Sequence, residues 1–507
     1  MNHTVIFILF SIFITKSQCN DISDYVSSTQ TEELPSSPPQ PSPYALSPTY
    51  LTYLAESEVQ IYEEMTKYAR GMEERLELIR AYLKDYEESS LRLTADLSEA
   101  TEPSEKVVSN PIAAYRMMRR FSRDFDTIKK HLSKGFEEAL KHSLDQLSAE
   151  NNLPSENDLR DAMDAILRVN YVYDMDINEF SKGKIMGQET NVEFTTSQTY
   201  EIAEYATKQK QYNLALSWLQ ETELRLNEAD DDESLTLSMT DLDKTYKEII
   251  TNHDLDFDKN TNPLFMFTEK LSENPNAPTF RKNGSMEDDY FNFLALCNGA
   301  NFQTPKYKAT LKCWYHRMNP YFYLFPLKAE LLHHDPLLIQ FHDIISPTWI
   351  EEMKQKAIPT LKRPPPISPG ATIRTVVNAW LGDEDIPNVQ LARRMELITN
   401  LHVKGKNSST DLQIAGYAYG SHVALHVDVL NDVEQGGLTA FPLLGTHVKP
   451  SMGSAVLWFN SLRNGNADEV MVHGACPVVL GHKWIATKWT HLNDNFLKWP
   501  CRLNAQV

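Results

Sequence analysis

The chain has 507 residues, of which 41% are hydrophobic and 23% charged, the proportions of a globular protein. It is too long for one typical core, so roughly two to four domains are expected. A formal net charge of −20 argues against nucleic acid or an anionic membrane surface as partner, while leaving a basic protein substrate open.

Residues 1–19 read as a secretory signal: the apolar run 5–14 is too short to span a membrane and polar residues follow it. This predicts the endoplasmic reticulum lumen. The chain ends Asn-Ala-Gln-Val, with no Lys-Asp-Glu-Leu, so retention is expected from something else. No later run reaches about 18 apolar residues, which predicts a soluble mature chain. Residues 20–50 are proline-rich and read as a disordered linker.

Helical periodicity then begins. Ile61, Met65, Tyr68, Met72, Leu76, Ile79, Leu83 and Tyr86 recur at spacings of three and four, giving an amphipathic helix with a near-heptad seam. It is either core-facing or half of a coiled coil, and 51–150 is taken as a helical dimerisation domain. In 151–228 the helices Thr196–Lys208 and 212–227 form a hairpin around Gln-Lys-Gln, like one tetratricopeptide unit. Tyr205, Tyr212 and Trp218 on it are either hairpin core or a groove for an extended proline-rich peptide. Residues 229–320 form an acidic linker and connecting segment. There Asp254, Asp256 and Asp258 are not a calcium loop, because Lys259 and Phe265 stand where glycine and glutamate are needed.

From 321 short runs alternate with a period of two: LQIAGYAY, VALHVDV, AVLWF and KWIATKW. The expected class is multidomain α+β, with a helical N-terminal half and a C-terminal double-stranded β-helix, or jelly roll. Cleavage near Cys19 would leave four cysteines in two local pairs, Cys297 with Cys313 and Cys476 with Cys501. Disulfides are favoured over a zinc site, since neither pair has C-x₂₋₄-C spacing. Asn283 and Asn407 begin glycosylation sequons.

In VALHVDV, Val423 and Leu425 would share one strand face and His426 and Asp428 the other. A buried polar face is costly unless its groups are paired or bind metal. His473 follows, and then Lys483. Two histidines and a carboxylate make the facial triad of non-haem Fe(II) oxygenases, with positions left open for oxygen and a co-substrate.

HGACPV from His473, GHKWIATKWTH through His491, and LQIAGYAYG through Tyr417 closely resemble the catalytic end of the collagen prolyl 4-hydroxylase α-subunit family, which are 2-oxoglutarate-dependent dioxygenases. FHDIIS, NAWL, SKGKIMG and NPIAAYRMMRRF extend the resemblance over most of the chain. It implies that His426, Asp428 and His473 hold Fe(II), and that Lys483 pairs with the distal carboxylate of 2-oxoglutarate. His491 would lie near that co-substrate, with Tyr417 and Thr439 as hydroxyl donors. L-ascorbate would rescue oxidised iron. The product would be 4-hydroxyproline in a proline-rich, collagen-like peptide held by 151–228. A protein disulfide isomerase-type subunit is the implied partner, and the two cysteine pairs match the family's two disulfides.

The chain departs from the family in three places. Only seven residues separate Asp428 from Gly436, where the family has a longer segment containing a further strand. VALHVDVLNDV can also be aligned with that missing strand. Val423 and Asn213 replace family tyrosines. The alternative expectation is thus a catalytically impaired α-like subunit that binds peptide as a scaffold.

Overall fold

The computed structural model describes residues 6–13, 47–69, 76–94, 109–131, 137–151, 153–228, 237–259, 263–279, 289–362, 376–384, 386–426, 435–462, 466–491 and 493–498. They divide into a helical unit, built mainly from 51–294, and a sheet unit, built mainly from 295–478 and 482–507.

The helical unit contains α1 (Pro48–Ala69), α2 (Leu76–Thr94), α3 (Pro111–Arg119), α4 (Phe125–His131), α5 (Glu137–Asn151), α6 (Glu156–Tyr173), α7 (Thr196–Lys208), α8 (Tyr212–Glu228) and α9 (Met239–Phe257). The expected single seam is divided between α1 and α2. Ile61, Met65 and Ile79 are buried in this unit, and the rings of Tyr62 and Tyr86 stack with centroids 4.7 Å apart. This part of the seam is therefore core.

Local chemistry explains the other boundaries. Asn110 caps α3 by accepting from the amides of Ile112 and Ala113, and Pro111 occupies the first turn, where a missing N–H costs nothing. Thr195 and Gln198 form a capping box before α7. The turn into α8 puts Lys210 at φ 61.

Arg120–Asp124, between α3 and α4, is a π-helical turn. Arg116 and Arg120, i and i+4 in IAAYRMMRRF, are both fully buried. Arg116 binds Asp85 and Glu88. Arg120 binds Glu58, Asp85 (2.7 Å) and the Ser89 hydroxyl (2.7 Å). Such charges survive burial only when paired and hydrogen-bonded, and the guanidinium fork permits both.

The sheet unit has twelve labelled strands: β1 (Ile6–Phe13), β2 (Cys313–His316), β3 (Leu327–His333), β4 (Leu338–His342), β5 (Val377–Leu381), β6 (Leu412–Tyr417), β7 (Val423–His426), β8 (Thr439–Phe441), β9 (Thr446–Val448), β10 (Ala455–Phe459), β11 (His473–Ala475) and β12 (Lys483–His491). An eight-stranded sheet runs β2-β3-β4-β10-β1-β12-β6-β5, and a four-stranded sheet runs β9-β8-β11-β7. One core joins them, with Tyr417, Trp458 and Ile485 from the large sheet and Val423, Phe441 and Ala475 from the small one.

β1, inside the segment read as a secretory signal, lies between β10 and β12 and is parallel to both. Every other neighbouring pair in the large sheet is antiparallel. Between β7 and β8 the described residues include a two-residue strand, Gln435–Gly436, which pairs with Val478–Leu480 in a separate two-stranded sheet.

Candidate functional site

β6 and β12 are adjacent and antiparallel, with Tyr417 directly opposite Lys483. Opposed residues project from the same face. Tyr417 belongs to the joint core, so Lys483 also faces the space between the sheets. It is completely buried, with Nζ 4.3 Å from the Tyr417 ring centroid. That is a cation–π contact in a low-dielectric setting.

The small sheet supplies the other side. Position 473 on β11 is opposite position 426 on β7, and Ala475 is opposite Val423. Three steps on β7 match two on β11, which is a one-residue bulge. Pairing between these two strands is therefore not strictly regular. Thr439, fully buried on β8, pairs with Ala475 and faces the same interior. Asp428 lies outside the described residues.

The His473 ring is fully buried, 5.0 Å from Phe441 and 5.2 Å from Trp458 between centroids. Its Nδ1 donates to the Met471 carbonyl at 2.8 Å. A carbonyl can only accept, so Nδ1 carries a hydrogen, and in the neutral ring the lone pair is then on Nε2. Metal-ligating histidines are oriented in this way. The residues therefore fit an imidazole-ligated cation with an anion held by Lys483. Among the described residues no group of three metal-binding side chains is assembled.

His491 is at the far end of β12 from Lys483, eight residues or roughly 26 Å along an extended strand. The structure does not bring the two together. Burial pushes the His491 imidazole below its ordinary range.

The substrate-groove residues also differ from expectation. Trp218 is fully buried, its indole N–H donating to Asn170 Oδ1 (3.2 Å) and its ring edge-on to Phe180 and Phe194. Tyr212 is buried and donates to Asp256 Oδ2 at 2.7 Å. Both are hairpin core, the other reading open in the sequence. Tyr205 keeps 9% exposure, with its hydroxyl bonded to Asp164.

The cysteines are paired differently from the local pattern. Cys297 is bonded to Cys476, and Cys313 is a free, exposed thiol at the start of β2. Cys501 lies outside the described residues. Asn407 is exposed in a turn, while Asn283 lies outside the described residues. The sequence reading missed the buried Arg116–Arg120 network, although two arginines one turn apart in an apolar helix were a signal for it.

The model of the prolyl 4-hydroxylase alpha-subunit N-terminal region matches residues 47–187. Prolyl 4-hydroxylase subunit alpha-2 of Caenorhabditis elegans is 28% identical over 518 residues, covering 90% of this chain and 93% of that protein. Subunit alpha-1 of Rattus norvegicus is 27% identical over 523 residues, covering 90% and 94%. A solved viral collagen prolyl hydroxylase of Paramecium Bursaria Chlorella virus-1, in complex with 2OG, is 22% identical over 30% of this chain and 94% of its own; its TM-score of 0.24 is too low to argue from. Matched at its N-terminal region and aligned along nine-tenths of its length at 27–28% identity, the chain is similar to the prolyl 4-hydroxylase α subunits.

Proposed function

We propose that this chain hydroxylates peptidyl proline to 4-hydroxyproline as a 2-oxoglutarate-dependent dioxygenase. The observation that carries the proposal is the convergence, in one interior, of Lys483 on Tyr417, Thr439, and His473 with its tautomer fixed. Similarity to the prolyl 4-hydroxylase α subunits supplies the reaction class.

Fe(II), held by His473, His426 and Asp428, would couple decarboxylation of 2-oxoglutarate to oxidation of the proline C4–H bond. The chain's own residues do the rest. The Lys483 ammonium would hold the distal carboxylate through a charge-assisted contact, which selects a diacid. The hydroxyls of Tyr417 and Thr439 would orient it. Phe441, Trp458 and Met471, all buried, keep water from the bonds that would break. L-ascorbate would return oxidised iron to the ferrous state.

The two facing sheets are proposed to be the halves of a jelly roll. Proline-rich, collagen-like segments would bind on the α7–α8 hairpin, with Tyr205 as the remaining candidate contact of the three. Residence in the endoplasmic reticulum lumen, a protein disulfide isomerase-type partner and self-association through the N-terminal helices belong to the same reading.

The test is anaerobic titration of the purified chain with Fe(II) and 2-oxoglutarate. A charge-transfer absorption that needs both, and that disappears in Lys483→Met, is expected. A folded chain with no such band loses this reading, and the scaffold alternative takes its place.

A further inference from the structure

A second concave site lies in the sheet unit, away from the interior just described. It is a cleft of 660 Å³ formed by the turn after Pro305–Lys308, by β2, β3 and β4, and by β9 with the residues after it. It shares no lining residue with Tyr417, Thr439, His473 or Lys483. β9 is the edge strand of the small sheet, two places from β11.

Its charge is opposite to that of the protein. Lys308, Lys312 and Lys449 line it, and none has a side-chain ion pair among the described residues. The one lining carboxylate, Glu330, is engaged with His342 at 3.2 Å. In a chain of net charge −20, three unneutralised ammonium groups around one hollow stand against the general field.

The floor is polar and largely fixed. Thr446 accepts from Asn301 Nδ2 (3.2 Å), and His447 Nδ1 donates to the Ala300 carbonyl (2.9 Å). Gln303 Nε2 donates to the Leu332 carbonyl (2.9 Å). Gln340 is the exception. The residue is 5% exposed and lines the cleft, and its carboxamide has no protein hydrogen-bond partner among the described residues. Its NH₂ is thus available to donate to a ligand oxygen in the cleft.

We propose that this cleft is an anion site for a small molecule bearing two or more negative charges, held by Lys308, Lys312 and Lys449 at the rim and by the Gln340 amide at the floor. Its walls are not those of a typical apolar ligand pocket, so recognition is electrostatic and weakens with salt. Phosphate and carboxylate groups present the same chemistry to it, and the experiment separates them.

Pyrophosphate and citrate would be titrated calorimetrically into the full chain at low and at moderate salt. Saturable binding by at least one is expected, and the tighter probe assigns the class. Lys312→Glu with Lys449→Glu should weaken it by at least about tenfold, because local charge changes by four units. Gln340→Leu should weaken it by about threefold or more with its salt dependence unchanged. Lys244→Glu with Lys247→Glu, the same charge change on exposed positions of α9, should leave it within about twofold. Circular dichroism identifies any variant that has not folded, and Gln340→Leu then carries the test alone. Failure of both probes to saturate, or equal loss in the α9 variant, overturns the proposal.

Discussion

In the helical unit Arg116 and Arg120 are each locked to carboxylates, whereas in the sheet unit the buried Lys483 lies on the face of Tyr417. Both regions bury cations completely. The carboxylates give the arginines full formal neutralisation and a fixed geometry. An aromatic face stabilises a cation through its quadrupole and adds no negative charge. The first arrangement is complete in itself and serves the fold. The second sets a buried ammonium on an aromatic face in the interior proposed to take the co-substrate.

That contrast can be broken by mutation. Arg120→Met should cost about 3–5 kcal/mol, because Glu58 is left buried without its guanidinium. Hydrogen exchange of α3 amides would report it, with affinity for 2-oxoglutarate unchanged. Arg120→Met with Glu58→Leu should recover most of the loss. Lys483→Met should do the reverse. Turnover at a fixed 2-oxoglutarate concentration should fall at least about a hundredfold, near 2.7 kcal/mol. Stability should stay level or rise, since replacing a buried charge by an apolar chain is often neutral or favourable. If Lys483→Met unfolds the sheet unit, the contrast is wrong.

A smaller effect sharpens the helical side. Hydrogen bonds from Lys210 and then Tyr212 hold the Asp256 carboxyl down at about 2. A depressed carboxylate stabilises the fold above its ordinary range near 4, and that contribution is lost as pH falls from about 4 toward 2. Denaturation midpoints should therefore drop more steeply over that interval in the parent than in Asp256→Asn. Tyr212→Phe should cost about 1 kcal/mol at neutral pH. Identical acid profiles for parent and Asp256→Asn would remove Asp256 from the account.

Local signals carried much of this architecture. The α7–α8 hairpin follows from its apolar period and its turn, and Ser346 before Pro347 starts the helix Pro347–Ala357 as its capping hydroxyl dictates. The runs LQIAGY, AVLWF and KWIATKW became β6, β10 and most of β12, short apolar-rich runs bounded by turns that are buried on both faces. What stayed hidden depends on long-range pairing. Cys297 and Cys476 are 179 residues apart, and no spacing rule could join them. The bulge between β7 and β11 is a property of two strands together, so VALH alone could not reveal it. Tyr212 and Trp218 read more readily as core than as groove, and the contacts with Asp256, Asn170 and Phe194 make them core. The cationic cleft draws on segments from Asn301 to Ser451 and has no sequence motif at all.

The central claim is that the interior holding Lys483 and His473 performs hydroxylation in this chain as it stands, with only seven residues between Asp428 and Gly436. The most direct measurement is succinate release by the purified full chain with Fe(II), O₂, 2-oxoglutarate and a (Pro-Pro-Gly) repeat peptide, scored together with 4-hydroxyproline in that peptide. Stoichiometric succinate and hydroxyproline, both lost in Lys483→Met, are the predicted result. A folded chain that releases no succinate and leaves the peptide unmodified would contradict the account.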